Sequence, residues 1–188
     1  MNPVFAAALE IQAFCREQRW KFSFIGAVAV QRWGEPRLTQ DVDLTVITGF
    51  GSEAPYVDAL CDRFTTRRPD ARAFALKYRV VLLRSDAGVP IDVALGAMPF
   101  EERTVARASS FTLGDDVALL TCSAEDLVVF KAFAGRDKDW LDIEGIAIRQ
   151  RGRLDERVIW TELTPLLELK EDLEAADRLR QILARAGR

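Results

Sequence analysis

The spacing of apolar positions predicts helices at both ends of the chain and short strands between them. Near the N-terminus, six apolar residues recur at helical spacing: Val4, Ala7, Ala8, Ile11, Phe14 and Cys15. Runs rich in β-branched and aromatic residues predict strands over 21–25, 41–47, 78–84 and 89–95, and over the segments SSFTLG and VALLT. Short helices are expected after Gly26, after a Ser52 cap, and near 99–107.

The C-terminal third of the chain has a helical pattern. Residues 123–134 and 137–150 predict two helices, and RGRLD separates the second from a third. Thr164–Pro165 is typical of a helix start, so the final helix is expected to open there. The pattern therefore predicts a mixed α/β (α+β) core over 1–121, built on a mixed β-sheet flanked by helices. A helical C-terminal part over 122–188 is expected to pack on that core.

The composition narrows the chemistry available to the chain. Its 188 residues include no histidine, which excludes Ser-His-Asp and Cys-His nucleophile systems, histidine general bases and histidine metal sites. A net charge of −3 is not that of a strongly basic nucleic-acid-binding protein. Any metal is therefore expected to be a hard cation held by oxygen atoms.

The cysteines and the apolar runs bear on location. Cys15, Cys61 and Cys122 lie far apart in sequence, which favours buried free thiols in a reducing compartment over a disulfide framework or a zinc site. No apolar run approaches the length that crosses a bilayer. We therefore expect a cytoplasmic protein with no membrane partner.

Two carboxylates interrupt an otherwise apolar strand in the segment TQDVDLTV. Asp41 and Asp43 point to the same side, about 6–7 Å apart, because side chains alternate along a strand. Asp92 interrupts another predicted strand, VPIDVAL, and if the strands are neighbours all three carboxylates can converge. Like charges about 4 Å apart repel by roughly 4 kcal/mol at an effective dielectric of 20, and a divalent cation reverses that cost. The acids therefore favour a Mg²⁺ site, and acids that simply face water are the alternative.

Gly26 ends the strand before these acids, at the point where a short helix is expected to begin. A helix N-terminus presents free backbone N–H groups and the positive end of the helix dipole, which suits a phosphate. Glycine also lets the backbone approach a ligand closely. The alternative is a glycine that is needed only for the turn.

The combined pattern resembles the nucleotidyltransferase fold of the DNA polymerase β type. The shared features are a strand, Gly26 and Ala27, a short helix, the strand of Asp41 and Asp43, and a later strand with Asp92. The resemblance implies that the three aspartates bind Mg²⁺ and act in catalysis, and that Asp92 helps to deprotonate the acceptor. Ala27 departs from the pattern, which has Gly or Ser there, so one hydroxyl is missing from the expected phosphate cradle.

Two longer segments resemble bacterial AbiEii-type and related small nucleotidyltransferases, which include toxins of toxin–antitoxin pairs. They are GAVAVQRWGEPRLTQDVDLTV, where such proteins show Arg-x-Thr-x-Asp-x-Asp, and KAFAGRDKDWLDI. The resemblance implies that Lys131, Arg136 and Lys138 contact phosphates. Arg37 and Thr39 either orient the strand of acids or touch phosphate, and packing at the loop edge is favoured for Thr39. The predicted nucleotide-binding residues are thus Gly26, Ala27, Arg37, Thr39, Lys131, Arg136 and Lys138.

The charged run over 131–142 also has a simpler interpretation. Lys131 lies in an otherwise apolar stretch, LVVFKAFA, so its amine must reach the surface or meet an anion. Asp139 and Asp142 are three residues apart and share one side of a predicted helix. A solvated surface of ion pairs is the alternative to a functional role.

These features favour an enzyme that moves a nucleoside monophosphate from a nucleoside triphosphate to an acceptor hydroxyl, with Mg²⁺ as cofactor and pyrophosphate as product. The acceptor is open between tRNA, a protein side chain and a small molecule such as an antibiotic, and an antitoxin-like protein is a candidate partner. One alternative is a catalytically weakened domain of this fold that binds nucleotide or protein, which Ala27 favours. Another is a D-x-D glycosyltransferase, which the short length and the spacing from Gly26 to Asp41 disfavour.

Overall fold

A computed structural model of the chain describes residues 2–113 and 117–187. The helices are α1 (Pro3–Glu17), α2 (Gly26–Trp33), α3 (Ala54–Arg63), α4 (Ala71–Tyr78), α5 (Pro99–Arg107), α6 (Ala124–Ala134), α7 (Asp137–Arg149), α8 (Glu156–Lys170) and α9 (Leu173–Ala186). The strands are β1 (Phe22–Phe24), β2 (Val42–Ile47), β3 (Thr65–Thr66), β4 (Val80–Arg84), β5 (Pro90–Gly96), β6 (Ser109–Leu113) and β7 (Val117–Thr121). The predicted strands are confirmed to within two residues, except that Gly114 of SSFTLG lies outside the described residues.

The strands form one mixed sheet in the order β3-β4-β5-β2-β1-β7-β6. β2 runs parallel to β5 and β1 runs parallel to β7, whereas the other neighbours are antiparallel. The mixed sheet with helices predicted from the sequence is therefore confirmed. The two central strands β2 and β5 carry the acids that the sequence singles out.

The chain divides into two compact units. The first comprises Met1–Val28 and Leu38–Cys122, and the second comprises Ala29–Arg37 and Ser123–Arg188. The first unit holds the whole sheet, and α2 begins in the first unit and ends in the second. The predicted division of the chain into domains, with the helical part packed on the core, stays a prediction.

Alternation along β2 and β5 separates an apolar face from a polar face. Val42, Leu44 and Val46 of β2 are fully buried in the core of the first unit, as are Ile91 and Val93 of β5. Because successive side chains of a strand point to opposite faces, the residues between them share the other face. That second face carries the aspartates.

The core of the second unit is a helical one, and residues 29–37 pack against it. Leucine, isoleucine and alanine residues of α6–α9 are buried there, among them Leu127, Ile143, Ile146, Ile159, Leu163 and Leu179. The Gln150 side-chain amide donates a hydrogen bond to the carbonyl oxygen of Trp33 at 3.0 Å. A β-carbon on Gly145 would lie 3.2 Å from the Glu35 backbone nitrogen, so a glycine in α7 admits this segment.

Two local predictions are wrong, and two further elements were not predicted. The final helix does not open at Thr164–Pro165, because α8 continues through Pro165 and the break comes at Glu171, whose φ is +56°. Ser52 does not cap α3, which begins at Ala54 after an uncapped Glu53. Helix α4 and the two-residue strand β3 were not predicted, because the polar segment TTRRPD masks the periodicity around them.

The prediction of buried thiols without disulfides is confirmed for Cys15 and Cys122, whereas Cys61 is only partly buried. Burial raises the pKa of Cys15 to about 12. In the part of the chain that the structure describes, none of the helices has both the length and the apolar character needed to span a membrane.

Candidate active site

The acids of the first unit lie on one face of the sheet. Asp43 and Asp92 are direct partners in the parallel pair of β2 and β5. Paired residues of adjacent strands point to the same face, and Asp41, two residues before Asp43, shares that side of the chain. The topology therefore places the two acid-bearing strands side by side, which is the arrangement that the predicted metal site requires.

The three carboxylates are not drawn into one tight cluster. Within residues 2–113 and 117–187, no three Asp, Glu, Cys or His side chains are grouped closely enough to hold a metal ion. The Arg67 guanidinium forms an ion pair with the Asp92 carboxylate, and the two side chains are 23% and 35% exposed. Burial raises the pKa of the Asp92 carboxyl, with a further contribution from Asp41, while Arg67 opposes this rise.

Gly26 lies directly against the second of these acids. It is the first residue of α2 and has a φ of +57°, in the left-handed region that favours glycine. A β-carbon at this position would overlap the Asp43 carboxylate and lie 2.8 Å from Asp43 Cβ. The backbone around Gly26 is tied to the acid strand, since the Ile25 N–H donates to the Asp43 carbonyl oxygen at 3.0 Å.

Two residues next to these acids have defined local roles. The Thr39 hydroxyl donates a hydrogen bond to Asp41 Oδ1 at 2.9 Å, so Thr39 orients the first carboxylate. Ala27 is 4% exposed, and its methyl group lies in the core. Ala27 therefore offers a ligand only its backbone.

The donor set fits Mg²⁺ by its chemistry. Carboxylate oxygens are the protein ligands that Mg²⁺ prefers, and it retains waters and substrate phosphates in its other positions. Asp41, Asp43 and Asp92 supply such oxygens from one sheet face, and the missing side chain of Gly26 leaves the space that the Asp43 carboxylate occupies. By their donor chemistry these residues therefore fit a hard divalent cation, and in this structure Asp92 is paired with Arg67.

The second unit contains a buried cluster of charges. Lys131 Nζ lies 2.7 Å from Asp142 Oδ2 and 3.3 Å from Asp139 Oδ1, and all three side chains are almost fully buried. Arg37 donates to both Asp142 oxygens, at 2.8 and 3.0 Å. Arg136 Nε donates to Asp139 Oδ2 at 2.6 Å.

The cluster sets the charge state of its two acids. Burial by itself raises the pKa of Asp139, but the hydrogen bond from Arg136 and the charge of Lys131 outweigh it and lower the pKa. The pKa of Asp142 is likewise lowered, because Arg37 and Lys131 outweigh the effect of burial. Both acids are therefore held as carboxylates.

The structure decides between the two interpretations of the charged run 131–142. A solvated ion-pair surface is wrong for Lys131, Asp139 and Asp142, which are buried, while Arg136 and Lys138 are exposed. The Lys131 amine meets an anion, as its apolar surroundings require, and the anion is a pair of aspartates of its own chain.

Arg67 is the residue near the acids that sequence reasoning missed. It stands in the polar segment TTRRPD, which reads as an ordinary surface loop. Its backbone N–H donates to the Leu82 carbonyl oxygen at 2.9 Å, and Leu82 is the β4 partner of Asp92. A predicted strand at β3, paired with β4, would have placed Arg67 near Asp92. Two residues are too few to show the alternation that predicts a strand.

No protein-family model matches the sequence, and no curated protein matches it either. Among solved structures, an antigenic nucleotidyltransferase-like protein from Paracoccidioides brasiliensis is similar at 16% identity and a TM-score of 0.51, over 95% of this chain and 93% of that one. The antibiotic-resistance factor ANT(2'')-Ia is similar at 15% identity and a TM-score of 0.55, over 92% of this chain and 96% of that one. The predicted nucleotidyltransferase-like fold is therefore confirmed, and the nearer likeness to AbiEii-type proteins stays a prediction.

Proposed function

We propose that the protein is a Mg²⁺-dependent nucleotidyltransferase that moves a nucleoside monophosphate from a nucleoside triphosphate to an acceptor hydroxyl. The observation that carries the proposal is the pairing of Asp43 with Asp92 on one face of the sheet, with Gly26 at a helix start against Asp43. Paired acids suit a divalent cation and the N–H groups of a helix start suit a phosphate, and such a reaction brings these two ligands together. The nucleotidyltransferase-like fold supports it.

In this reaction the acceptor oxygen forms a bond to the α-phosphorus and the bond from that phosphorus to the bridging oxygen breaks, so pyrophosphate leaves. The acceptor proton passes to the Asp92 carboxylate, the role that the family resemblance implies for it. Mg²⁺, held by Asp41, Asp43 and Asp92, would neutralise charge on the phosphates. Thr39 keeps the Asp41 carboxylate oriented.

The residues predicted to contact phosphate differ in the exposure of their side chains. Backbone N–H groups at the start of α2, from Gly26 and Ala27, are suited to a phosphate. Arg37, Arg136 and Lys138 of the second unit have exposed side chains, and their contact with phosphate stays a prediction from the family resemblance. Lys131 binds phosphate only if it leaves both aspartates, so its main role is to hold them.

The acceptor and the biological role extend this proposal. The AbiEii-type segments favour a toxin of a toxin–antitoxin pair, acting in the cytoplasm and paired with an antitoxin-like protein. The acceptor classes to test are tRNA, protein hydroxyls and small-molecule antibiotics.

The proposal is tested by incubating the protein with each α-³²P-labelled nucleoside triphosphate, Mg²⁺ and a panel of total tRNA, cell protein and aminoglycosides. We expect label transfer to one acceptor by the wild type and loss of transfer by Asp43→Asn. Asp177→Asn is the matched control, since Asp177 is an exposed acid of α9. Equal inactivity of wild type and Asp43→Asn across the whole panel argues against the enzyme.

A second function is favoured by the ion pair between Arg67 and Asp92 and by Ala27 in place of Gly or Ser. A domain with these features would bind nucleotide or a protein partner without turnover. Calorimetry separates the two, because tight Mg²⁺-dependent nucleotide binding without any transfer is expected only of the binding domain.

A further inference from the structure

Arg67 holds Asp92 in an incomplete way. The Arg67 guanidinium uses one terminal nitrogen, Nη2, for the carboxylate. Its Nε is buried, and no hydrogen-bond partner for it is found among the residues that the structure describes. Buried donors are normally paired, so an unpaired guanidinium nitrogen beside a predicted metal ligand calls for an explanation.

Several other arginine–aspartate pairs of the chain use the fork of the guanidinium, with Nε and Nη2 each binding one carboxylate oxygen. They are Arg37 with Asp142, Arg68 with Asp70, Arg72 with Asp58, Arg136 with Asp139 and Arg157 with Asp155. A two-pronged contact is the preferred geometry of a guanidinium with carboxylate or phosphate. The contact of Arg67 with Asp92 uses Nη2 alone and lacks this fork.

The position of Arg67 also sets it against a metal ion. Asp92 is the third carboxylate of the proposed metal site, and a guanidinium beside it neutralises the charge that a divalent cation needs. The absence of a three-carboxylate group in the described chain agrees with this pairing. One carboxylate thus has two competing cations, one built into the chain and one from solution.

We propose that Arg67 holds Asp92 while no metal is bound, is displaced by the divalent cation, and then binds a phosphate of the incoming nucleotide through the fork that includes Nε. This inference rests on the proposed function and assigns Arg67 as a nucleotide-positioning residue. The exchange keeps the acidic face neutralised before the metal arrives and supplies a phosphate ligand afterwards. The proposal predicts that removal of the Arg67 guanidinium raises the affinity for the metal and lowers the affinity for the nucleotide.

The test uses Mn²⁺ as the probe, with free Mn²⁺ followed by electron paramagnetic resonance in nucleotide-free protein. Arg67→Gln is expected to bind Mn²⁺ about tenfold more tightly than the wild type, because a competing charge is gone. With Mg²⁺ present, the same variant is expected to bind a non-hydrolysable nucleoside triphosphate about tenfold more weakly. Arg72→Gln is the matched control, since it also removes one guanidinium paired with an aspartate of the first unit, and it is expected to change neither affinity by more than about twofold.

Arg67→Gln affinities within about twofold of wild type, or a fall in both affinities together, would overturn the inference. If the variant fails to fold, the Nε–Hε resonance of Arg67 in the wild type serves instead: it must shift when Mg²⁺ is added, and a fixed resonance at saturating Mg²⁺ also overturns it. If the wild type binds Mn²⁺ and nucleotide and Arg67→Gln binds both with the same affinities, only this inference is overturned. If the wild type binds neither Mn²⁺ nor nucleotide, the proposed function and this inference are both contradicted.

Discussion

A β-carbon on Gly26 would lie 2.7 Å from Asp43 Cγ, so the second acid of the candidate site occupies the space that any other residue at position 26 would fill. The φ of Gly26, +57°, adds a second reason for glycine at this position. The helix start and the acid are therefore built as one unit. Any substitution there acts on both.

Replacing Gly26 by alanine is expected to lower the free energy of unfolding by about 2–5 kcal/mol, from the left-handed φ together with the overlap with Asp43. Gly88→Ala is the matched control, because Gly88 has a φ of +80° and open space around it. That control should cost only about 1–2 kcal/mol. Urea unfolding of both variants measures the difference, and equal losses would show that the contact with Asp43 carries no weight.

Removing the amine of Lys131 is expected to destabilise the second unit strongly. Lys131→Met leaves Asp139 and Asp142 buried with fewer compensating charges, and breaking a buried ion pair costs about 3–5 kcal/mol. Arg180→Gln breaks an exposed pair with Asp177 and should cost no more than about 1 kcal/mol. Chemical denaturation of the two variants compares these costs, and a Lys131→Met protein as stable as Arg180→Gln would contradict the buried cluster.

The same cluster sets a pH dependence. The pKa values of Asp139 and Asp142 are lowered in the folded protein, so their contribution to stability is present above the unfolded carboxyl pKa of about 4 and is lost as the pH falls through the folded values. In Lys131→Met, burial is opposed by fewer cations and the folded pKa values rise. The loss of stability on acidification should therefore begin at higher pH in the variant. Unfolding free energies measured from about pH 3 to pH 7 test this, and parallel pH profiles of variant and wild type would count against it.

Asp142 is expected to fasten residues 34–37 to α7. Arg37 forks onto both of its carboxylate oxygens, and asparagine at position 142 retains only one acceptor for that fork. Asp142→Asn should therefore speed amide hydrogen exchange over 34–37, with Asp177→Asn as the control for loss of an acid. Unchanged exchange in this segment would mean that its other contacts hold it without Asp142, namely the contact at Gly145 and the hydrogen bonds from Gln150 and Arg149.

The fold was largely accessible from the sequence, because alternation in β2 and β5 and the helical spacing in α1 are strong local signals. The predictions of helices and strands fail where tertiary contacts override these local signals. Pro165 reads as a helix start, yet α8 runs through it, and a two-residue strand such as β3 has too little length to show a period.

The candidate site was only partly accessible. Asp41, Asp43 and Asp92 are visible because acids in apolar strands are rare, and Lys131 is visible for the same reason in a helix. The partners were not, since the choice of Arg67 for Asp92 and of two aspartates for Lys131 depends on which elements become neighbours. The sequence shows which charged groups interrupt apolar segments, whereas the fold determines which partners these groups meet.

The most direct test of the central claim is calorimetry of a non-hydrolysable nucleoside triphosphate, with and without Mg²⁺, on wild type and on the Asp41→Asn, Asp43→Asn double variant. Asp177→Asn serves as the control. The account predicts binding to wild type and control only when Mg²⁺ is present, and at least about a hundredfold weaker binding to the double variant. Nucleotide binding that is equal in all three proteins, or that is indifferent to Mg²⁺, would contradict it.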